Sequence, residues 1–514
     1  MNSLLKSILY SFVAGCLYAF TYPSFLGTGW FPLLFIALPI FIWRLEGTET
    51  LKQSLILVFF YNLGLNVTGF YWIPQTLREF GQLPYFISVI LGALFSFILQ
   101  PHWWIYGFWK KFRPGWNWYS ERGVLISALI LTLLERYFPQ QFPIYAGSPW
   151  LHLAPYLGLA PILGVVGFSF MTYWVAMESI TQLSMRKFRS QVWIFLVIFV
   201  GFNTLYPARN PTNTPKLAVR IVQANIGNFM KISGEQGDDV SLDVITKNYQ
   251  KLSTVQNGFV PKLIVWPETA YPHPFYGQQS ELSPIFGETM KSQNAEMLIG
   301  GYEQDTSKTI FDMIESIYNA SLLLSDDKIK ASYHKNILIP FGETLPFGPF
   351  NRKIVTMVPA VSLFARGEGT PLMETKDKFR FVTPICYEIL ESNYMRSLLN
   401  QYQGNHLIVN HTNDSWYGNT AEPYQHLFLS KWRALEFNLP IVRSTNTGIT
   451  SVIYADASES KRLEIGTEGT LDVMVPTGSG QSTVYQDYGA LPLYALFLFL
   501  ILETWIRDRK NSLI

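Results

Sequence analysis

The chain has 514 residues, a formal net charge of +2 at pH 7 and 15% charged residues. Its mean hydropathy of +0.15 and its 16% aromatic content are high for a soluble protein of this size. A net charge this close to zero provides no basis for general nucleic-acid binding, and no nucleic-acid partner is expected. Long apolar runs dominate roughly the first 206 residues, and one more closes the chain. The composition therefore predicts a membrane protein with an inserted globular domain.

Eight apolar stretches are candidates for bilayer-crossing helices, because a hydrocarbon core of about 30 Å requires about 20 apolar helical residues. They are Leu4–Tyr22, Trp30–Trp43, Ser54–Ile73, Tyr85–Phe108, Val124–Tyr137, Pro161–Ile180, Val192–Tyr206 and Gly489–Ile506. The second and the fifth are short. The sequence thus predicts transmembrane helices 1 to 7 over residues 1–206 and a linker over 207–216. A globular domain is predicted over 217–485, and an eighth transmembrane helix with a tail over 486–514.

Basic residues are distributed unevenly over the short loops between these stretches. One side carries thirteen, and the opposite side carries only Arg78 and Arg136. The thirteen are Lys6, Arg44, Lys52, Lys110, Lys111, Arg113, Arg122, Arg186, Lys187, Arg189, Arg507, Arg509 and Lys510. Because cytoplasmic loops carry an excess of Lys and Arg, both termini are predicted to be cytoplasmic and the large domain to be exported.

The amino terminus allows a second interpretation, a cleaved signal. Val13-Ala14-Gly15-Cys16 resembles a lipoprotein processing site. However, the apolar run continues past Cys16 to Phe20, and a second apolar stretch follows at once. A retained first span is therefore favoured.

Within the exported domain, short β-branched runs alternate with longer, more polar helical stretches. The predicted strands are Leu217–Gln223, Leu263–Trp266, Met297–Gly301, Ala320–Leu324, Phe379–Thr383, His406–Asn410, Ile441–Thr445 and Thr450–Tyr454. Several are apolar almost throughout, which is typical of strands covered on both faces. The alternation predicts a layered α/β domain but does not give the order of its strands.

Three predicted strand ends carry reactive side chains, namely Glu268, Lys335 and Cys386. Taken alone, each has an ordinary interpretation: a helix-terminal carboxylate, a surface lysine and a buried thiol. Together they form a coherent acyl-transfer site. A thiol with a usual pKa of about 8.5 needs a base, which Glu268 can provide, and Lys335 can offset charge on a carbonyl oxygen. Glu343 can orient Lys335 or an amine substrate.

Other chemistry is not indicated by the sequence. It contains no GxGxxG, Walker, HExxH or CxxC motif, and its seven histidines show no metal-ligand spacing. No metal and no cofactor are expected. Cys16 falls within the first predicted span, so Cys386 has no credible disulfide partner.

Trp266-Pro267-Glu268, Lys335 and Cys386-Tyr387-Glu388 resemble, in that order, the Glu-Lys-Cys triad of the nitrilase (carbon–nitrogen hydrolase) superfamily. The whole chain resembles the bacterial apolipoprotein N-acyltransferase family. Further matching segments are Asn410–Gly418, Gln425-His426, Arg433–Glu436, Arg443, Thr445–Gly448, Gly69–Trp72, Glu135-Arg136, Phe142-Pro143, Gly147–Trp150 and Gly167–Phe170. One departure is Ile232, which stands where the family often has tryptophan.

The resemblance implies a nitrilase-like α-β-β-α sandwich inserted in an eight-helix transmembrane bundle. It implies catalytic and supporting roles for two sets of residues. The catalytic set is Glu268, Lys335 and Cys386, and the supporting set is Glu343, Tyr387 and Glu388. The stretch 340–364, with Phe341, Phe347, Phe350, Val358 and Phe364, is predicted to be either a lipid-contacting lid or an ordinary packed loop.

The implied activity is transfer of a fatty acyl chain from a phospholipid, through a thioester on Cys386, to the amino-terminal amine of a diacylglyceryl-cysteine apolipoprotein. A monomer in the bacterial inner membrane, with its catalytic domain in the periplasm, is expected. Two alternatives stay open. One is a membrane-anchored amidase that uses the same triad with water as the second nucleophile. The other is a related acyltransferase with a different amine acceptor.

Overall fold

The computed structural model describes residues 3–81, 83–111, 119–277, 282–305, 316–340, 342–345, 347–351 and 363–512. The chain groups into two compact units. One comprises Met1–Pro74, Tyr85–Ala208 and Thr483–Ile514, and the other comprises Gln75–Pro84 and Arg209–Ser482.

Helices make up the described structure before residue 208. They are α1 (Ser3–Ala19), α2 (Leu34–Glu46), α3 (Leu51–Gly69), α4 (Ile73–Gly81), α5 (Tyr85–Leu94), α6 (Pro101–Lys111), α7 (Glu121–Tyr137), α8 (Ala160–Met185) and α9 (Gln191–Leu205). Short 3₁₀ turns at Phe31–Leu33, Phe95–Phe97 and Ser148–Leu153 lie between them. Each predicted apolar stretch in this part of the chain coincides with one or two of these helices.

Two of the predicted spans coincide with pairs of helices that are bent against each other. Among the described residues, one helix, Ala160–Met185, is long and apolar enough to cross a membrane, or up to three if each of two bent pairs is one span. These pairs are Leu51–Gly69 with Ile73–Glu79, bent by 67°, and Tyr85–Phe97 with Pro101–Lys111, bent by 46°. The second bend precedes Pro101, which cannot donate the backbone hydrogen bond that would continue the helix.

Three further apolar helical segments of the described residues are shorter than Ala160–Met185, namely Leu4–Ala19, Gln191–Leu205 and Leu491–Glu503. The 15 residues of α9 cover about 22 Å at 1.5 Å per residue, less than the roughly 30 Å of a hydrocarbon core. Length and composition therefore establish between one and three spans in the described residues, where hydropathy alone predicted eight.

A buried carboxylate fixes one loop of this helical unit. Glu135 on α7 is 2% exposed, and its Oε1 accepts hydrogen bonds from the Ala146 peptide N–H and the Tyr173 hydroxyl, both at 2.7 Å. A polar group buried among apolar helices must find such partners, since an unpaired one costs several kcal/mol. Glu135 thereby ties the segment after α7 to α8.

The second unit contains two mixed β-sheets. Its strands are β1 (Lys216–Gln223), β2 (Leu263–Val265), β3 (Pro274–Phe275), β4 (Glu296–Gln304), β5 (Ile317–Ser325), β6 (Lys328–His334), β7 (Met373–Glu374), β8 (Arg380–Val382), β9 (Leu407–Thr412), β10 (Ile441–Thr445), β11 (Ser451–Ile453) and β12 (Gly469–Pro476). The first sheet has the order β12-β1-β2-β4-β5-β6, with β3 beside β4, and the second has the order β11-β10-β9-β8-β7. Parallel pairs occupy the centre of each sheet and antiparallel pairs its edges.

All eight predicted strands are confirmed, with bounds that differ by a few residues. The two longest strands for which no range was predicted, β6 and β12, lie at opposite edges of the first sheet, and only the end of β6, before Lys335, was predicted as a strand end. Along β6, exposed lysines at 328 and 330 alternate with buried apolar residues. Such half-exposed edge strands do not form the continuous apolar runs by which the others were recognised.

Helices cover the outer face of the first sheet. The helices of this unit are α10 (Asn228–Glu235), α11 (Asp239–Ser253), α12 (Pro284–Gln293), α13 (Ser392–Asn400) and α14 (Glu422–Phe437). Tyr249 of α11 and Phe286 of α12 share one buried cluster with Trp266, Ile299 and Leu322. Burying a large apolar side chain contributes about 1.5–3 kcal/mol, so this cluster fixes α11 and α12 on the sheet.

Buried polar side chains join the two sheets to each other. Ser321 of β5 accepts a hydrogen bond from the Thr383 hydroxyl at 2.8 Å and lies 3.2 Å from Nε2 of His411 on β9. Helix α14 is buried along nearly its whole length. The second unit is therefore the predicted layered α/β domain. The chain then returns to the first unit through α15 (Val484–Tyr488) and α16 (Leu491–Ser512).

Candidate active site

Glu268 follows β2 in the first sheet and is 6% exposed. The residue that leads to it, Trp266, is buried and stacks on Tyr249 with a centroid distance of 4.7 Å. The neighbouring strand must be very close here. A Cβ atom at Gly300 would lie 2.2 Å from the Pro267 carbonyl oxygen and 2.6 Å from the Glu268 Cα. Only glycine permits this approach, which sets the position of the carboxylate.

Lys335 follows β6 and is fully buried. Its ammonium group donates to Glu343 Oε1 at 2.7 Å and to Glu268 Oε1 at 3.2 Å. Burial alone would lower the pKa of Lys335, but the charges of Glu268 and Glu343 outweigh it and raise the pKa well above its usual range. Lys335 is therefore a permanent buried cation held between two carboxylates.

Asn319 of β5 is a member of the site that the sequence did not predict. Its side-chain Nδ2 donates to Glu268 Oε1 at 2.8 Å and to Glu343 Oε1 at 3.3 Å. Its main-chain carbonyl oxygen accepts the Lys335 peptide N–H at 2.9 Å. Facing two carboxylates, the side-chain amide must present its NH₂ group, since its oxygen would be repelled. The one signal in the sequence is an amide within the apolar run Ile317–Ser325.

Cys386 lies on the second sheet, after β8, at the first position of a short 3₁₀ helix that ends at Leu390. Its backbone has φ of 52°, in the left-handed region that non-glycine residues seldom occupy outside functional turns. Burial raises the pKa of the thiol and the Glu268 charge raises it further, while Lys335 and a hydrogen bond with Thr412 lower it. The net pKa lies well above the usual range. The resting group is therefore a neutral thiol that needs a base.

Glu388 connects the segment after Lys335 to the turn that carries Cys386. Its Oε1 accepts the peptide N–H groups of Asn336 at 2.6 Å and Ile337 at 2.9 Å, while Oε2 accepts the Ile385 N–H at 2.8 Å. The Tyr333 hydroxyl also donates to Oε2, at 2.6 Å. Burial raises the pKa of Glu388 to about 7, although these donors favour the carboxylate. Four donors on one carboxyl group make it a clamp between two loops.

The other two predicted supporting residues lie in different surroundings. Glu343 is 8% exposed and, besides binding Lys335, accepts the Ile339 peptide N–H at 3.0 Å through Oε2. Tyr387 is half-buried, and its hydroxyl donates to Glu391 at 2.9 Å. Glu343 therefore contacts the buried cation directly, whereas the Tyr387 hydroxyl binds the carboxylate that ends the 3₁₀ turn.

The predicted lid is described in part. Phe341 and Val358 lie outside the described residues. The Phe364 peptide N–H donates to the Glu343 carbonyl oxygen at 3.0 Å, and its ring stacks on Tyr302 at 5.8 Å. Phe347 and Phe350 expose 47% and 69% of their surface. The carboxyl end of this stretch is thus attached to the site.

Helix α10 lies beside Glu268. The buried Lys231 contacts the Thr269 hydroxyl and lies 3.8 Å from Glu235 Oε1. Ile232, at the position that departs from the family pattern, is half-buried, and Phe229 is 86% exposed. Helix α10 therefore places a second lysine, Lys231, next to Thr269, the residue that follows Glu268.

A second buried network, from β9 and β10, contacts the turn that carries Cys386. Asn410 Nδ2 donates to the carbonyl oxygens of Pro384 at 3.0 Å and Cys386 at 3.3 Å. Arg443 donates to Asn410 Oδ1 at 3.1 Å and pairs with Asp414 Oδ2 at 2.9 Å. The sequence marked these residues only as matching segments, because their contacts with Cys386 depend on the register of the second sheet.

Asp414, Glu422 and His426 offer potential ligand atoms within 4.8 Å of one another. The Arg443 guanidinium already neutralises Asp414 from within the same cluster. An added divalent cation would be repelled by that guanidinium, so the residues present do not fit a metal site.

The arrangement has the parts that acyl transfer requires. A carboxylate, a buried cation and a thiol converge from two sheets, and the charges of Glu268 and Lys335 both act on the Cys386 thiol. A base next to a thiol permits covalent catalysis, and a fixed cation stabilises negative charge on a carbonyl oxygen. A site of this kind can serve a class of enzymes that act through a covalent acyl-thiol intermediate.

This class is the carbon–nitrogen hydrolases: the family model described as Carbon-nitrogen hydrolase matches residues 219–485, more than half of the chain. A second family model, described as Apolipoprotein N-acyltransferase N-terminal domain, matches residues 14–177. An apolipoprotein N-acyltransferase from Bdellovibrio bacteriovorus is 31% identical, with 84% of this chain and 82% of that protein aligned. The chain belongs to the apolipoprotein N-acyltransferase family.

A further relative agrees with this assignment over almost the full length. An apolipoprotein N-acyltransferase from Haemophilus influenzae is 28% identical over 98% of this chain and 96% of its own. Among solved structures, an amidase from Nesterenkonia sp. aligns with a TM-score of 0.35 at 13% identity, covering 56% of this chain and 98% of its own. The predicted family and the acyltransferase class are confirmed, and the relatives do not favour the amidase alternative.

Proposed function

We propose that the enzyme carries an acyl chain on Cys386 and delivers it to the amino-terminal amine of a lipoprotein, with Glu268 as base and Lys335 as oxyanion partner. The observation that carries this proposal is the contact of a fully buried Lys335 with both Glu268 and Glu343, next to a protonated thiol. A buried cation that is already positioned stabilises developing negative charge without reorganisation.

In the first half-reaction, Glu268 takes the Cys386 proton and the sulfur attacks the ester carbonyl of a phospholipid. The carbonyl oxygen becomes an oxyanion beside Lys335. As the tetrahedral intermediate collapses, the ester C–O bond breaks, and Glu268 returns the proton to the leaving lysophospholipid alcohol. A thioester remains on Cys386.

In the second half-reaction, the amine of a diacylglyceryl-cysteine apolipoprotein attacks the thioester carbonyl. Glu268 accepts a proton from the amine, the C–S bond breaks and the Cys386 thiol forms again. The product is an amide, which adds a third acyl chain to the lipoprotein. The same carboxylate thus acts as base in one step and as acid in the next.

The supporting residues act on position rather than on the substrate. Glu343 holds the Lys335 ammonium at 2.7 Å, and Glu388 fixes the peptide groups on either side of the pocket. Tyr387 is the third proposed supporting residue, through the turn that it shares with Cys386. Apolar side chains of 340–364 are proposed to contact the lipid substrate.

We also propose that the helical part forms an eight-span bundle over 1–206 and 486–514 with both termini in the cytoplasm. Contacts between predicted cytoplasmic loops support this topology. The Lys110 ammonium donates to the Leu45 and Thr48 carbonyl oxygens at 2.8 and 2.7 Å, and Arg122 pairs with Glu503 at 2.7 Å. Two pairs of segments that the distribution of basic residues assigns to the cytoplasmic side are therefore in contact.

This topology places the domain over 217–485, after a linker at 207–216, on the periplasmic side of the bacterial inner membrane. The proposed substrates are both anchored in a bilayer, and a domain attached to spans on either side reaches them there. A site at the bilayer would replace diffusion through water by diffusion along the membrane.

Intact-mass analysis of the purified enzyme before and after addition of phospholipid vesicles tests the proposal. We expect a mass gain of one acyl chain, loss of that gain in Cys386→Ala, and its release as an amide on adding a diacylglyceryl lipopeptide. Cys16→Ser, which removes the other cysteine, is the matched control and should acylate normally. An unchanged acyl adduct on Cys386→Ala would refute the assignment.

A further inference from the structure

Strand β9 presents two side chains to the nucleophile. Asn410 holds the Cys386 carbonyl oxygen at 3.3 Å, and a parallel bridge between Ile385 and His411 sets Cys386 beside Thr412, whose hydroxyl acts to lower the pKa of the thiol. Because residues two apart share one face of a strand, both contacts arise from the same face of β9. A single strand thus contacts both the backbone and the reactive atom of Cys386.

The Thr412 hydroxyl has a second acceptor. It donates to Asp414 Oδ1 at 3.1 Å, while Asp414 Oδ2 is paired with Arg443 at 2.9 Å. Burial favours protonation of Asp414, but Arg443 and the Thr412 and His426 donors outweigh it and keep its pKa below the usual range. Asp414 therefore remains a carboxylate whose charge is compensated by Arg443, whichever way the Thr412 hydroxyl turns.

We infer that Thr412 stabilises the thiolate form of Cys386 by turning its hydroxyl from Asp414 to the sulfur. While Cys386 is a thiol, the hydroxyl donates to Asp414. When Glu268 removes the S–H proton, the Thr412 O–H bond stays intact and rotates to donate to the sulfur. Asn410, Asp414 and Arg443 act as positioning residues for this hydroxyl. The inference rests on the proposed role of Cys386 as nucleophile.

The charges that face Cys386 show why such a donor is needed. Glu268 after β2 and Glu343 in the loop after β6 oppose a thiolate, and the Tyr417 hydroxyl before α14 also lies within electrostatic reach. Lys335 favours the thiolate, but it is already bonded to both carboxylates. Since Asp414 keeps its ion pair with Arg443, the Thr412 hydroxyl can redirect its hydrogen bond from Asp414 to the sulfur at little cost.

The test measures the thiol directly. Iodoacetamide alkylation of Cys386, followed by mass analysis of its peptide between pH 6 and 10, reports the thiolate fraction without any lipid. Thr412→Val should shift this profile up by about one pH unit, equivalent to about 1.4 kcal/mol, and slow thioester formation from phospholipid about tenfold at pH 7. Thr412→Ser should restore both. Thr412→Ala, which cannot overpack the site, should repeat the shift if the valine variant does not fold.

Thr445→Val is the matched control. Thr445 pairs with Thr412 in the register of β9 and β10 and is equally buried, but its hydroxyl bonds Gln223 and Thr450. Its alkylation profile should equal that of the parent enzyme. A parent-like profile for Thr412→Val or Thr412→Ala, even with slowed thioester formation, would overturn the inference. If the parent itself forms no thioester, the proposed function fails while the alkylation profiles still decide the role of Thr412.

Discussion

The Lys335 ammonium lies closer to Glu343, at 2.7 Å, than to Glu268, at 3.2 Å. From the sequence, Glu268 was the candidate base for Cys386, and Glu343 was expected to orient Lys335 or an amine substrate. The geometry brings both glutamates to Lys335. Glu343 anchors the cation, and Glu268 shares its Oε1 between Lys335 and Asn319. In the proposed mechanism, its second oxygen exchanges a proton with Cys386.

Replacing Glu343 should weaken the proposed stabilisation of the oxyanion by Lys335. Glu343→Gln keeps the shape but removes the charge that fixes Lys335, so we expect thioester formation to slow about 100-fold, as when one oxyanion donor is lost. The rate is measured by quenched intact-mass analysis after mixing with phospholipid vesicles.

The control for Glu343→Gln is the same acid-to-amide change at an exposed pair. Asp243 and Lys247 form such a pair, with side chains 57% and 68% exposed. Asp243→Asn should leave the rate unchanged, because exposed ion pairs contribute little. A Glu343→Gln enzyme that acylates as fast as Asp243→Asn would contradict the anchoring role.

Asn319 should influence how readily the neighbouring carboxylates of Glu268 and Glu343 take up a proton. Asn319→Asp places a third carboxylate where Nδ2 now lies 2.8 Å from Glu268 Oε1. Like charges in a buried site raise the pKa of one member, so the acid limb of the rate of thioester formation should move up by about one pH unit or more. The profile is measured between pH 5 and 9.

The matched variant for this change is Asn294→Asp, at an exposed asparagine that caps α12. It should reproduce the parent pH profile. Asn319→Ala should slow the reaction without the same displacement of the acid limb, because it removes the amide but adds no charge. Identical profiles for Asn319→Asp and the parent enzyme would show that Asn319 does not act on the base.

The sequence revealed the parts of the site that are local in the chain. Apolar runs marked the strands, and Glu268, Lys335 and Cys386 stand directly after strands or in the turn that follows. The contacts between them are not local. Asn319 is 51 residues from Glu268 and 24 from Glu343, and its role depends on strand order and register. No local pattern contains that information.

In the helical part, the bends of the helices could not be predicted from the sequence. A hydropathy window adds up apolar residues but does not register where a helix bends. The stretch Ser54–Ile73 ends at a 67° break, and Tyr85–Phe108 contains a 46° break before Pro101. The positions of the apolar helices were therefore predictable, whereas their lengths and directions were set by prolines and by packing.

Gly300 should be required for the position of Glu268. A methyl group at Gly300 would overlap the Pro267 carbonyl oxygen at 2.2 Å, whereas one at Gly301 would meet its nearest atom, Phe275 Cε2, at 3.4 Å. Gly300→Ala should therefore displace the carboxylate, lower the stability by about 1–3 kcal/mol and abolish most activity. Gly301→Ala should retain both. The thermal midpoints and acylation rates of Gly300→Ala and Gly301→Ala are compared. Equal losses in the two variants would refute a local effect at Gly300.

The stability of the folded enzyme should depend on pH through the titration of Glu388. Its pKa is about 7 in the folded enzyme, against about 4.3 for an ordinary glutamate in an unfolded chain. Between these values the folded state holds the proton more tightly. The contribution of Glu388 to stability is therefore greatest below about pH 4.3, falls as pH rises to about 7, and stays low above it.

Glu388→Gln removes this titration, so the unfolding free energy of the parent minus that of the variant should fall between pH 5 and 7, by about 3 kcal/mol at most. The difference between their thermal midpoints should fall over the same range. The variant should also acylate more slowly, because its amide NH₂ would face peptide N–H donors that now bind a carboxylate oxygen. Glu288→Gln, at an exposed carboxylate on α12, should follow the parent at every pH. A constant difference between the parent and Glu388→Gln from pH 5 to 8 would mean that Glu388 does not titrate there, and the clamp would then act as a permanent carboxylate.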